Sequence, residues 1–133
     1  MILHKAFEFD AGHRLILHPG KCHNYHGHRY RVEVWIEGEP DRRSGMIEDF
    51  TIVKEVVFER YDHNFIFNRK DPAIPVVKAN QGKSPVVLEG EPTVENIVKD
   101  IAGLLQKALR RGRVVRIRMW ETPSSYAEWE EDR

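Results

Sequence analysis

The sequence predicts an α+β domain in which two helices pack on one face of a four-stranded antiparallel sheet. Three observations indicate this class: alternating apolar and polar residues near both ends of the chain, two segments of helical periodicity between them, and Pro- and Gly-rich connections. The resulting order, ββααββ, makes two antiparallel strand pairs and one helical layer. We expect one domain over residues 1–133, because this length supports a single hydrophobic core.

The N-terminal part of the chain contains the first two predicted strands. Residues 2–10 alternate loosely, whereas residues 11–27 are rich in Gly, Pro, His and Asn and predict a loop. The run RYRVEVWIEGE alternates more regularly, and its apolar face consists of Tyr30, Val32, Val34 and Ile36. Such alternation is typical of a half-buried antiparallel strand.

The remaining elements are two helices and two strands. Asp49 can cap a helix from Phe50 to about Tyr61, and Thr93 can cap a second helix that Gly112 ends. Residues 62–91 form a long connection in which PVVLE is the one candidate strand, and the runs VVRIRMWE and YAEWE predict the last two strands. So few strands leave sheet edges exposed, and we therefore expect the chain to form oligomers.

Composition excludes several classes of function. The 21 Lys and Arg residues balance the 21 Asp and Glu residues, so no basic field recruits nucleic acid. No stretch approaches the roughly 20 apolar residues of a membrane span, and the N-terminus lacks the pattern of a secretory signal. The single cysteine cannot form an internal disulfide, which predicts a cytoplasmic protein. The balanced charge and the lack of a long apolar stretch predict that it has no nucleic-acid or membrane partner.

The run CHNYHGH, residues 22–28, predicts a metal site. His26 and His28 are two positions apart at the entry to a strand, so both imidazoles project to one face and can meet one ion. A catalytic zinc ion usually has three protein ligands, and His13, at the end of FDAGHR, lies where the neighbouring strand ends. Other histidines remain open as ligands (His18 and His23) or as a structural residue (His4).

Four further side chains are candidates for chemistry. Cys22 is either a fourth metal ligand in a structural site or a reactive thiolate beside the metal. Asp62 and His63 form a dipeptide that could transfer protons near neutral pH, and Glu121 could bind adjacent N–H donors of a flat heterocycle. The residues alone leave open an enzyme that acts on a flat heterocycle, a zinc hydrolase with three histidine ligands, and a non-catalytic module stabilised by zinc.

Five ordered motifs give the chain a family resemblance. FDAGHR, CHNYHGH, YDHNF, EPTVEN and RMWETPSSYAEW occur in this order and span nearly the whole chain. Together they resemble the 6-pyruvoyltetrahydropterin synthase / 6-carboxytetrahydropterin synthase family. The position of Cys22, four residues before His26, looks more like the 6-carboxytetrahydropterin branch of queuosine-type 7-deazaguanine synthesis than the pyruvoyl branch.

The resemblance implies a fold and a set of residue roles. It implies the tunnelling fold, assembled as a homohexamer of two trimers with active sites between subunits, and 7,8-dihydroneopterin triphosphate as substrate. Zinc would be held by the three histidines, with Cys22 as general base and Asp62 and His63 in proton transfer. Glu121 would anchor the pterin, and Thr93 would lie close to the same pocket.

The product is open within the resemblance. A pyruvoyl product and an aldolase-like cleavage to a hydroxymethylpterin are the alternatives to the carboxy product. The connection over residues 64–91 is longer than in many family members and looks like that of archaeal members, which affects the expected product more than the reaction class.

Overall fold

The computed structural model describes residues 1–132, which form six strands and three α-helices. The strands are β1 (Ile2–His13), β2 (His26–Glu37), β3 (Asn64–Asn68), β4 (Val86–Leu88), β5 (Arg113–Thr122) and β6 (Ser125–Glu130). The helices are α1 (Phe50–Tyr61), α2 (Ile74–Asn80) and α3 (Val94–Ala108), and Lys21–His23 forms one 3-10 turn. Arg133, the last residue of the expected domain, lies outside the described residues.

The six strands form one mixed sheet in the order β4-β3-β1-β2-β5-β6. The predicted antiparallel strands are present as β1, β2, β5 and β6, but β3 lies parallel to β1 and β4 parallel to β3. The prediction of a four-stranded, purely antiparallel sheet is therefore wrong. β3 escaped prediction because its five residues, NFIFN, are almost all buried and show no alternation.

The two predicted helices begin where their caps indicate. The Asp49 carboxylate accepts a hydrogen bond from the Thr51 amide, and the Thr93 hydroxyl accepts one from the Asn96 amide. A third helix, α2, lies in the connection predicted to be irregular. It escaped prediction because it has seven residues, contains Pro75 and buries none of its side chains, so it has no apolar stripe. The order ββααββ is corrected to ββαβαβαββ.

The core lies between the sheet and helices α1 and α3. The predicted inward face of β2 is buried: Tyr30, Val32, Val34 and Ile36 are each no more than 1% exposed. Residues between them on β2 project to the opposite face, where charged side chains and Trp35 lie. No helix within residues 1–132 is long and apolar enough to cross a membrane.

Candidate functional site

The pairing of β1 with β2 brings three histidines together at one end of the sheet. His13 is the cross-strand partner of His26, and Ala11 is the partner of His28. The ring centroid of His13 lies 4.6 Å from that of His26 and 5.2 Å from that of His28. The ring centroids of His26 and His28 are 5.1 Å apart. The strand ends therefore converge as the i, i+2 spacing predicts.

Backbone carbonyls orient two of these rings. His13 Nδ1 lies 2.7 Å from the Pro92 carbonyl oxygen, and His26 Nδ1 lies 2.8 Å from that of Asn24. Because a carbonyl only accepts, each Nδ1 carries the proton and each Nε2 keeps its lone pair. The two Nε2 atoms face each other at 3.1 Å, an arrangement that a shared cation would stabilise.

The third histidine also has a nitrogen available for binding. Within residues 1–132, His28 Nε2 and the Tyr30 hydroxyl are buried and lack a hydrogen-bond partner. Glu121 Oε1 lies 3.1 Å from His28 Nε2, but the arrangement does not form a hydrogen bond. One nitrogen from each of the three histidines lies within 4.8 Å of the others. An orphaned buried nitrogen beside two converging lone pairs fits a bound metal ion.

Burial favours the neutral form of His13 and His28. Burial lowers the pKa of His13 to about 4, although its hydrogen bond to Pro92 acts in the opposite direction. Burial also lowers the pKa of His28, against the charge of Glu121. A neutral imidazole is the form that binds a metal, so the site is ready to accept one near neutral pH.

A cavity of about 610 Å³ adjoins His28 on the open side of the sheet. Glu121 and Trp120 line it at the end of β5, and Gly27 and Arg29 line it on β2. Its size suits a small-molecule ligand, and the indole of Trp120 and the carboxylate of Glu121 offer a flat apolar surface beside an acceptor of two hydrogen bonds. Sequence reasoning singled out Glu121 but not Trp120, whose place in an alternating strand looks ordinary.

Asp62 and His63 follow α1, and their side chains are hydrogen-bonded to each other. Asp62 Oδ2 lies 2.8 Å from His63 Nδ1, and Asp62 Oδ1 accepts a hydrogen bond of 3.1 Å from the Asp10 amide. The His63 side chain is 78% exposed, which leaves Nε2 accessible. It lines a second cavity, of about 410 Å³, that also includes His28 and Gly27. One member of the dipeptide, His63, and one member of the histidine cluster, His28, thus line the same cavity.

The Asp62 carboxyl is held in its ionised form. Burial raises the pKa of Asp62, but the hydrogen bonds from His63 and the Asp10 amide and the charge of Lys83 outweigh burial. The pKa of Asp62 therefore lies below its usual value. An ionised carboxylate on Nδ1 orients the ring and stabilises its protonated form.

Two candidates do not join the cluster within one chain. Cys22 lies in the 3-10 turn, partly buried, and its carbonyl accepts a hydrogen bond from the Leu15 amide. It lines neither of the two cavities. Thr93 caps α3, one residue after the Pro92 carbonyl that orients His13.

The other histidines make local contacts. His18 Nδ1 accepts from the Gly20 amide, His23 Nδ1 lies 3.2 Å from the Ile16 carbonyl, and His4 pairs with Glu33 on the outer face. The carbonyls of Asn24 and Pro92, which orient the cluster, were missed by sequence reasoning because any residue supplies a backbone carbonyl.

Two proteins with assigned names are similar to this chain over nearly its whole length. A protein of Rickettsia bellii named 6-carboxy-5,6,7,8-tetrahydropterin synthase is 33% identical over 132 residues, covering 93% of this chain and 96% of that protein. A protein of the same name from Haemophilus influenzae is 34% identical over 137 residues, covering 96% of each chain.

Solved structures share the fold. The 6-pyruvoyl tetrahydropterin synthase of Caenorhabditis elegans has a TM-score of 0.68 and 23% identity, and the match covers 99% of this chain and 96% of that one. An uncharacterized protein of Wolinella succinogenes has a TM-score of 0.77 and 24% identity, with 99% and 98% covered. At these identities the structural similarity supports the fold alone.

The family model for 6-pyruvoyl tetrahydropterin synthase matches residues 2–132. This range includes every motif on which the sequence resemblance depends, and the relatives above 30% identity cover nearly the whole chain. The chain therefore belongs to the 6-pyruvoyl tetrahydropterin synthase family.

Proposed function

We propose that this protein is a zinc-dependent 6-carboxy-5,6,7,8-tetrahydropterin synthase. It would convert 7,8-dihydroneopterin triphosphate and water to 6-carboxytetrahydropterin, acetaldehyde and triphosphate, in a queuosine-type pathway, with water supplying the second oxygen of the carboxyl group. The relatives of that name support the reaction. The observation that carries the proposal is the cluster of His13, His26 and His28 beside a cavity that ends at Glu121.

Zinc is the metal we propose for the cluster. Three imidazoles form a nitrogen donor set that zinc favours, and a site with these three protein ligands leaves a position open for substrate. A bound zinc ion would act as a Lewis acid on the hydroxyl oxygens of the substrate side chain. The carbonyls of Pro92 and Asn24 would keep His13 and His26 in the binding orientation.

Proton transfer is assigned to Cys22, Asp62 and His63. Cys22 would remove a proton from carbon next to a polarised hydroxyl, which requires its thiolate form. His63 would return a proton through its accessible Nε2, while Asp62 holds Nδ1. The hydrogen-bonded Asp62–His63 pair supports this assignment.

Glu121 would bind the pterin. The amino-pyrimidinone edge of a pterin presents adjacent N–H donors, and a carboxylate can accept two hydrogen bonds in parallel. Trp120 in the same cavity offers an apolar surface to the ring system. Thr93 would support the pocket from the start of α3, next to the carbonyl that orients His13.

We propose a homohexamer of two trimers with active sites between subunits. Cys22 lines neither cavity in its own chain, so a site shared between chains would supply the base from a neighbour. β6 has an unpaired edge within residues 1–132, which can extend the sheet into another subunit. We propose a cytoplasmic location, since Cys22 is a free thiol.

The reaction is tested by incubating zinc-loaded protein anaerobically with 7,8-dihydroneopterin triphosphate and identifying products by mass spectrometry. We expect 6-carboxytetrahydropterin and acetaldehyde. The Cys22→Ala variant should lose at least about 100-fold in kcat, the usual contribution of a general base, while its zinc content and unfolding temperature stay unchanged.

Other outcomes separate the alternatives. A pyruvoyl or hydroxymethyl product would retain the pterin site and overturn the proposed branch. Joint loss of zinc and stability in Cys22→Ala would show that the cysteine is a metal ligand. No turnover by zinc-loaded protein would contradict the proposed function and favour a hydrolase or a structural zinc site.

A further inference from the structure

The connection between β3 and β4, residues 69–85, packs its last residues against the end of α1. This segment carries α2. Lys83, near its end, reaches the turn that presents Asp62 and His63. The contacts of Lys83 therefore link this connection to the turn after α1.

Lys83 binds the C-terminal carbonyls of α1. Its Nζ donates a hydrogen bond of 3.1 Å to the Asp62 carbonyl oxygen and one of 3.3 Å to the Phe58 carbonyl oxygen. The Phe58 carbonyl also accepts the helix-ending hydrogen bond from the Asp62 amide. An ammonium group beside the last carbonyls of a helix donates hydrogen bonds to them and interacts favourably with the helix dipole.

The segment that carries Lys83 is itself tied to the residue after His63. Gln81 donates to the side-chain oxygen of Asn64 and to the Lys83 carbonyl. Asn64, which is 3% exposed, donates to the carbonyls of Arg60 and Ser84. These hydrogen bonds join the backbone on both sides of Lys83 to the end of α1 in one network. They therefore fix the place from which the flexible lysine side chain reaches the helix.

The turn that Lys83 holds has an unusual backbone. His63 has a φ of 55°, in the left-handed region that residues other than glycine seldom occupy. Its amide donates a hydrogen bond of 2.7 Å to the Asp10 carbonyl, while the Asp62 carboxylate accepts from the Asp10 amide and contacts His63 Nδ1. Lys83 donates a hydrogen bond to the carbonyl of Asp62, the residue immediately before His63.

We propose that Lys83 is a positioning residue that holds the Asp62–His63 pair in the orientation needed for proton transfer. It does not touch the substrate region, since neither the cavity of Glu121 nor that of His63 includes it. Its action passes through the backbone of Asp62. This inference rests on the proposed function, in which the pair transfers protons.

The test compares three variants. Lys83→Met removes the ammonium and keeps an unbranched chain, Lys83→Arg retains a cationic donor, and Lys78→Met changes an exposed lysine of the same connection. We expect Lys83→Met to lower kcat about 10-fold with KM within about twofold of the wild-type value, because chemistry and not binding is affected. Lys83→Arg should recover most of kcat, and Lys78→Met should match the wild type.

A second readout is independent of activity. In protein labelled with ¹⁵N-histidine, the backbone amide of His63 reports its bond to Asp10. We expect Lys83→Met to shift this signal and Lys78→Met to leave it in place, with zinc content unchanged in both.

Two results would overturn the inference. One is an unshifted His63 amide in Lys83→Met; the other is an equal loss of kcat in Lys83→Met and Lys83→Arg together with a general fall in unfolding temperature. If wild-type protein does not turn over the pterin, the proposed function fails separately, and the amide signal alone decides whether Lys83 positions the pair.

Discussion

At the scale of single residues, the site depends on which nitrogen of each histidine is free. His13 and His26 each give Nδ1 to a backbone carbonyl, so both direct a lone pair at the same point. His28 adds a buried nitrogen without a partner, and the Tyr30 ring packs against it with centroids 5.6 Å apart. Unsatisfied buried polar atoms raise the free energy of the folded protein without an ion, and ion binding lowers it.

A substitution in this cluster should abolish metal binding without unfolding the protein. We expect His28→Ala to reduce zinc from about one ion per chain to nearly none, because two imidazoles seldom hold zinc against exchange. The measurement is zinc content by mass spectrometry after dialysis.

His4→Ala is the matched control for this substitution. His4 lies in β1 and pairs with Glu33 on the outer face, so its removal should leave the zinc content unchanged. Retention of a full zinc complement by His28→Ala would contradict the ligand assignment.

At the scale of elements, the connection between β3 and β4 contacts two segments next to the candidate site. Lys83 holds the turn after α1, and Asp71 binds Arg14, the residue after β1, through two hydrogen bonds of 2.8 and 2.6 Å. The Arg14 guanidinium also lies 4.7 Å from the centre of the Tyr25 ring, just before β2. The contact of Arg14 with Tyr25 therefore joins the two ends of the loop that carries Cys22, and Asp71 holds Arg14 in place.

Breaking the pair should destabilise the fold. Asp71 has a fully buried side chain, and Asp71→Asn would leave the Arg14 charge largely enclosed without its counter-ion. We expect the free energy of unfolding to fall by about 3 kcal/mol in urea denaturation at pH 7. Asp132→Asn, at an exposed position near the C-terminus, is the control and should change it little.

The loss of unfolding free energy in Asp71→Asn should become smaller as the pH falls. The hydrogen bond from Arg14 lowers the pKa of Asp71 below its ordinary 3.8. On acidification the unfolded chain takes up this proton first, so the contribution is complete above about pH 4 and is lost as the pH falls through the folded-state pKa. The gap between wild type and Asp71→Asn should therefore narrow below pH 4, and a gap that widens there would contradict the ion-pair explanation.

At the scale of the whole molecule, the sheet buries one face against α1 and α3 and leaves the other open. The open face is crossed by ion pairs between strands, such as Arg29 with Glu8 and Arg118 with Glu128. Exposed pairs of this kind contribute little stability each, but they keep the face polar and the register defined. The cavities that adjoin His28 lie at the end of this sheet, where a neighbouring chain could complete them.

Mixed assemblies test whether sites are shared between chains. Cys22→Ala and His63→Ala each remove one proposed acid/base group and should be inactive alone. If one site takes these groups from different chains, random mixing in equal amounts restores about a quarter of the sites, since each group is intact in half of the chains. The measurement is product formation after the two variants are dissociated and reassembled together. Continued inactivity of assemblies shown to be mixed would place both groups on the same chain.

The reach of sequence reasoning differed between the elements. Tyr30 and Val32 were placed in the core by strict alternation, and both long helices were located by Asp49 and Thr93, whose caps are local interactions. Strand β3 and helix α2 were missed, because a short strand buried on both faces and a helix that buries nothing lack periodicity. The place of β3 depends on its pairing with β1, which is distant in the chain.

The candidate site divides in the same way. The local pattern was sufficient to predict that His26 and His28 share one face, since residues i and i+2 of a strand project to the same side. The ordered motifs were sufficient to identify the family. The fold was needed to put His13 opposite His26, to aim the Pro92 carbonyl at it, and to bring Lys83 under the turn at His63. Those contacts join residues up to 79 positions apart, and the preferences of individual residues carry no information about partners at that distance.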